Sequence, residues 1–302
     1  MWFLFALLTA LAWGGADLFY KKGSDSRDRF SHIKIVIMVG LVMGVHATGY
    51  MLFKGITLDP ADLLRYLPVS VLYILSMTIG YIGLRYLELS IASPVQNSSG
   101  AVTTILLFLF FTHSLNTLEV TGIVIITLGV IGLAVLEKKA EQIALRASST
   151  KIDPKYQIGM MAILFPVLYA LIDGLGTFAD GIYLDELSLI SEDAALLSYE
   201  FTFFACAVLA FIYLRFVKKQ RFNLFQERVK GYAAVFETIG QFFYVFAMSS
   251  NAIIAAPLIA SYSIFSVILS RIFLKERLNK AQYAVVIAVI IGIALLGIAD
   301  EL

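Results

Sequence analysis

Ten apolar stretches, each about as long as a helix needs to cross a bilayer, succeed one another along this chain. They lie at 2–20, 32–53, 67–87, 91–113, 118–137, 157–179, 194–217, 231–249, 252–272 and 281–299. A hydrocarbon core of ~30 Å takes ~20 helical residues to span. Nothing inside it can satisfy a stray backbone N–H or C=O, so a crossing segment must close its hydrogen bonds internally or in a closed barrel. The runs lack the strict alternation of barrel strands. The expectation is therefore an all-α integral membrane protein with ten transmembrane helices.

Composition agrees. Of 302 residues 60% are hydrophobic and 15% charged, where a soluble domain has roughly half and a quarter. A net charge of +1 excludes the basic surface that nucleic acid requires. The single cysteine, Cys206, excludes an internal disulfide framework and reads as a packing residue. The N-terminal run has no basic flank and no small-residue cleavage site, so it reads as a retained first span.

The basic residues set an orientation. Of 23 Lys and Arg, only Lys54 and Arg65 fall outside the loops, and loop edges, that follow the odd-numbered spans. The loop from Gly181 to Asp193 carries acids and no base. The positive-inside rule then places the odd-numbered loops in the cytoplasm and both termini outside, in a plasma (inner) membrane.

The halves are alike. Ser93-Pro94-Val95 matches Ala256-Pro257-Leu258 at an offset of 163 positions. Tyr81 and Tyr244, Leu115-Asn116 and Leu278-Asn279, and Gly129 and Gly292 share that offset. Trp13 and Asp17 match Tyr169 and Asp173 at an offset of 156. Five spans is an odd number, so two such copies sit inverted, residues 1–137 and 157–302 joined by a cytoplasmic connecting loop at 138–156. Substrate binds between the halves of such architectures. Asn116 with Glu119, and Asn279 with Gln282, have the spacing of capping boxes that start the fifth and tenth spans.

Ala12-Trp13-Gly14, the two prolines, and Phe273-Leu274-Lys275-Glu276-Arg277-Leu278 followed by Gly292 carry a resemblance over essentially the whole chain. The sequence resembles the drug/metabolite transporter superfamily, specifically its EamA-type carriers with two five-helix repeats. It departs in having Tyr169 where the first half has Trp13. The resemblance implies transport of a small-molecule substrate and a cavity built from the first, third, fourth, sixth, eighth and ninth spans. Carried onto this chain, that suggests Trp13, Tyr81, Gln96, Asn97, Tyr169, Glu237, Gln241, Tyr244, Ser261 and Tyr262 as lining. Glu276 is a familiar loop acid there, expected to pair at the surface with Lys275 or Arg277.

The residues themselves single out acids within spans, which are costly and usually face a cavity or a partner. Asp17, Asp173 and Glu237 are the candidates for substrate binding or coupling. Glu200 reads equally as a hydrated group near the outer end. For Asp17, an interfacial ion pair with Lys21 competes. Asp17 lies ~22 Å along its helix, towards the cytoplasm, and Asp173 the same distance along an inverted one. The two are expected to flank a central site rather than meet as a dyad. His46 and His113 read as packed or interfacial, and Arg85 as snorkelling. Pro94 and Pro257 each remove a helical hydrogen bond and are expected to kink or break their spans.

The function this supports is a secondary carrier of an amine, amino acid or cationic compound, proton-coupled through those carboxylates. The alternative is a neutral sugar or other neutral metabolite, bound by Gln96, Asn97, Gln241 and the tyrosines. A phosphorylated cargo would want Lys or Arg deep in the cavity. The remote alternative, an intramembrane enzyme, lacks HExxH, P-loop and GxSxG motifs, so no cofactor or metal is expected. Besides the lipid bilayer, a homodimer through the fifth and tenth spans is conceivable, because Gly122, Gly129 and Gly132 permit close approach.

Overall fold

The computed structural model describes residues 1–25, 27–147, 164–276 and 278–301, and every regular element among them is helical. The helices are α1 (Trp2–Gly23), α2 (Ser31–Lys54), α3 (Pro60–Gly83), α4 (Leu89–Asn97), α5 (Ser99–Phe110), α6 (Thr117–Ala147), α7 (Leu164–Gly181), α8 (Glu192–Ile212), α9 (Arg228–Ala260), α10 (Tyr262–Leu269) and α11 (Lys280–Glu301). Short π-helical turns at Ile182–Glu186, Tyr213–Val217 and Ser270–Leu274 end α7, α8 and α10.

Among the described residues eight segments are long and apolar enough to cross a membrane, against ten apolar runs in the sequence, and the difference arises at the two proline-containing regions. The run at 91–113 is split into α4 and α5, each too short to cross alone. The runs at 231–249 and 252–272 follow without a loop, separated by Asn251 in extended conformation (φ −169°, ψ 84°). The stretch read as a connecting loop at 138–156 is helical as far as Ala147. Its charged residues are good helix formers, and polarity alone had suggested a loop. Residues 148–156, the start of the run at 157–179, and Arg277 lie outside the described residues.

Local chemistry explains where the helices begin. Asp59 caps α3 by accepting from Ala61 N at 2.8 Å, with Pro60 at the first helical position, where a missing N–H costs nothing. Both expected capping boxes close. Asn116 N donates to Glu119 Oε2 at 2.7 Å while Glu119 N donates to Asn116 Oδ1 at 2.9 Å. Asn279 N and Gln282 Oε1 are 2.5 Å apart, and Gln282 N reaches Asn279 Oδ1 at 3.0 Å.

The breaks also follow one rule. Pro94 and Pro257 lie inside helices, and each helix ends at a serine four residues later, Ser98 and Ser261. The serine hydroxyl donates to the carbonyl three residues back, Ser98 to Val95 at 2.6 Å and Ser261 to Leu258 at 2.5 Å. Such side-chain bonds compete with the backbone ladder and bend helices. Ser261 is therefore a break-forming residue, fully buried, rather than part of a cavity wall.

Packing pairs helices across the halves: α1 with α9 and α10, α7 with α3, α4 and α5, α2 with α8 and α9, α3 with α8, and α6 with α11. The last contact uses the glycines expected to serve a homodimer. A Cβ on Gly122 would lie 2.6 Å from Leu296, and one on Gly129 would collide with Val289. Their close approach is spent inside the chain, while Gly132 meets nothing within 4 Å.

Two loop expectations are corrected. Glu276 does not serve merely as a surface pair: its carboxylate accepts from Leu89 N at 3.3 Å and Ser90 N at 3.1 Å, capping α4 from the far end of the chain. Arg85 does not snorkel. It is 9% exposed, and its Nη1 donates to the Arg29 carbonyl at 3.2 Å.

Candidate functional site

Where α1, α3, α7 and α9 face the breaks between α4 and α5 and between α9 and α10, they enclose a cavity. All of the sequence candidates except Ser261 line it: Trp13, Asp17, Tyr81, Gln96, Asn97, Tyr169, Asp173, Glu237, Gln241, Tyr244 and Tyr262. Tyr20, Tyr73, Met77, Thr177 and Tyr199 join them. The cavity is narrow, with about 60 Å³ open to water-sized spheres, where one water needs roughly 10–15 Å³.

Each carboxylate is oriented by hydroxyl groups. Ser93 and Ser266 both donate to the same oxygen of Asp17, Oδ2, at 2.6 and 2.7 Å. Asp17 is thus held from α4 and α10 together, in place of the interfacial pairing considered for it. Lys21 instead donates to the carbonyls of Leu84, at 3.0 Å, and Leu87. Asp173 accepts from Ser76 at 3.3 Å. Glu237 accepts from Tyr20 at 3.3 Å, and Tyr81 donates to Tyr20 at 3.1 Å. Asp17 and Asp173 open on the same cavity from different helices and keep separate hydroxyl partners.

Aromatic rings form the rest of the wall. Trp13 stacks on Tyr244 with centroids 5.2 Å apart and meets Tyr262 edge-on at 5.7 Å. Its Nε1 donates to the Glu237 carbonyl at 3.3 Å. The indole fits because Gly240 stands opposite, as Gly80 stands opposite Tyr169. Among the described residues no Lys, Arg or His lines the cavity, and the Nε2 atoms of Gln96 and Gln241, both 3% exposed residues, have no hydrogen-bond partner.

A further buried acid lies behind the wall. Asp180 accepts from Tyr66 and from Tyr73 (3.5 Å), and Tyr73 in turn bonds Thr177 at 3.1 Å and Tyr244. Asp180, seven residues after Asp173 and so on the same helical face, was not among the residues expected from the sequence. The available signal was helical spacing: Tyr66, Tyr73, Met77 and Tyr81 recur every four or seven residues, and Tyr20 follows Asp17 by three.

Glu200 differs from the hydrated reading, and both histidines pack beside acids. Glu200 is fully buried rather than hydrated, and both its oxygens lie within 2.9 Å of His46 Nδ1. His113 Nε2 is 2.7 Å from Glu186. Asp185 accepts from Ala252 N at 2.7 Å, capping the helix that resumes after Asn251.

A chain of long apolar helices that buries acids around an aromatic cavity is a multi-pass membrane protein. The profile of the EamA-like transporter family matches residues 1–135 and 160–298. The chain belongs to that family, and so to the drug/metabolite transporter superfamily, whose members transport small molecules. Among solved structures 28 chains match. One of them, described simply as a protein crystal structure, shares 14% identity, covers 99% of this chain and 96% of its own, and has a TM-score of 0.65. That likeness concerns the fold. No curated protein matches.

Proposed function

We propose that this protein is a carrier of a small organic cation, an amine, an amino acid or a related cationic compound, working by alternating access and coupled to protons. One observation carries the reading: Asp17, Asp173 and Glu237 open on one cavity whose wall, among the described residues, holds no Lys, Arg or His. Unpaired charge in a low-dielectric site is costly, so each carboxylate needs either a proton or a cationic group. Binding one and releasing the other is the elementary step of exchange. The aromatic wall suits the same cargo, since a cation over a ring gains about 0.5–2 kcal/mol. The amide nitrogens of Gln96 and Gln241 would donate to a carbonyl, carboxylate or hydroxyl on the cargo.

Two inverted five-helix repeats are the machine we infer. In support, contacts between the halves come in matched pairs: α1 against α9 as α7 against α3, and α2 against α9 as α8 against α3. In this reading the split segment α4–α5 and the segment from Asn251 through α10 are equivalent broken spans. The odd-numbered loops are cytoplasmic, both termini lie outside, and the membrane is the plasma (inner) membrane. The narrow cavity then corresponds to a closed stage, from which either side opens.

A second reading, a neutral polyhydroxyl cargo, is favoured by the two unpartnered glutamine amides. Flux assays on the full chain in liposomes, with and without a pH gradient, separate the two. Amines and amino acids are expected to move with gradient dependence, and Asp17→Asn, Asp173→Asn and Glu237→Gln to abolish the coupled component. Gradient-independent flux of neutral sugars, unchanged in those variants, would overturn the cationic reading.

A further inference from the structure

We propose that a groove between α2 and α8 is a site for an anionic phospholipid. Its acyl chain lies against Ile37, Leu41, Val208 and Phe211, and its phosphate on the basic turn that follows α8. The groove offers about 620 Å³, within the range of small-molecule sites, and shares no residue with the central cavity. It runs beside a close crossing, where Gly40 and Gly44 let α2 meet Phe203, Phe204 and Ala207. The chain beyond α8 then folds over its end with Phe222 to Phe225, and the Phe222 ring meets Phe211 edge-on at 6.1 Å. Among the described residues Asn223 is the one polar residue in the wall.

The charge around the groove selects the headgroup. Arg215, Lys218, Lys219 and Arg221 fall within seven residues, and all are exposed. None makes an ion pair among the described residues. Glu227, the nearest acid in sequence, is already held by Lys34 at 3.0 Å and by Lys230. The same turn exposes Phe216 and Phe225, at 70% and 88%, as a segment at the boundary of acyl chains and headgroups would. Basic side chains beside an apolar groove at that depth match a phosphate attached to a hydrocarbon chain.

The test is native mass spectrometry of the purified full chain, titrated with phosphatidylglycerol and with phosphatidylethanolamine of the same acyl composition. Phosphatidylglycerol is expected to be retained preferentially. The exposed triple variant Lys218→Gln, Lys219→Gln, Arg221→Gln should lose that preference by about fivefold per charge while keeping the wild-type Tm. Val208→Trp, which fills the groove, should lower retention of both lipids. Equal retention of the two lipids by the wild type, an undiminished preference in the triple variant, or unchanged retention in Val208→Trp would each overturn the site as drawn.

Discussion

The indole of Trp13 lies over the bare α-carbon of Gly240, so close that a Cβ at that position would overlap the ring. This contact locks α1 to α9 and turns the same indole toward Tyr244 and Tyr262 in the cavity wall. Gly240→Ala should therefore cost about 1–3 kcal/mol, as overpacking does, with a lowered Tm and a shifted Trp emission. Gly132→Ala has open space around it and should be neutral, or stabilising by up to about 1 kcal/mol through helix propensity.

Asp17 depends on two hydroxyls delivered to one oxygen atom. Hydrogen bonds to a charged group are worth about 1.5–3 kcal/mol each. Ser93→Ala and Ser266→Ala are each expected to lower coupled flux roughly tenfold in liposomes, and Asp17→Asn to remove it. Flux unchanged in both serine variants would mean that the hydroxyls only pack.

Glu276 caps α4 by accepting from the backbone N–H groups of Leu89 and Ser90. Glu276→Ala should cost about 0.5–2 kcal/mol, the worth of a cap, measured as a fall in Tm in detergent. Glu276→Gln keeps an acceptor and should recover part of it. Neutralising Lys275 should change little, whereas an ion pair would make Lys275→Gln equivalent to Glu276→Ala.

Glu88 precedes α4 and lies outside the long helices. Burial, and then the negative charge of Glu276, push its pKa above the ordinary carboxylate value, against a smaller opposing pull from Lys21. A raised folded-state pKa means that its contribution is fully present below the unfolded value and is lost as pH rises through the folded one. Glu88→Gln should therefore gain Tm over the wild type as pH climbs through and above the carboxylate range, and show no gain at more acid pH. A pH-independent difference would contradict this.

His46 and Glu200 pair between α2 and α8, with the carboxylate fully buried. Removing one member of a fully buried pair costs about 3–5 kcal/mol; with the His46 side chain 33% exposed, His46→Ala should destabilise by less than that. The double variant His46→Leu, Glu200→Leu should regain most of that loss in a thermal melt, since apolar replacements of buried pairs are often neutral.

Much of this architecture was legible in the sequence because the bilayer imposes it locally. Apolar length marked the helical segments, Asn116 and Asn279 their starts, and constant offsets the correspondence of Pro94 with Pro257. Asp17, Asp173 and Glu237 were legible as acids that an apolar span would otherwise exclude, while the aromatic and amide lining was expected only from the resemblance to EamA-type carriers. What escaped was pairing between distant segments. His46 with Glu200, Glu276 with Leu89 and Asp180 with Tyr66 are separated by at least 114 positions, and no periodicity connects them. Ser261 was misplaced for a related reason, because a serine beside a cavity motif and a serine that breaks a helix look alike until the backbone direction is known.

By itself the sequence determined a helical membrane protein with acids and aromatics at its centre, since hydrocarbon tolerates no other backbone and permits buried charge only where it meets a partner. The tertiary structure alone decided which hydroxyl holds which carboxylate, which glycine admits which ring, and that both broken segments turn their gaps to one cavity. Those choices depend on how helices far apart in the chain approach one another, and close packing fixes that distance contact by contact.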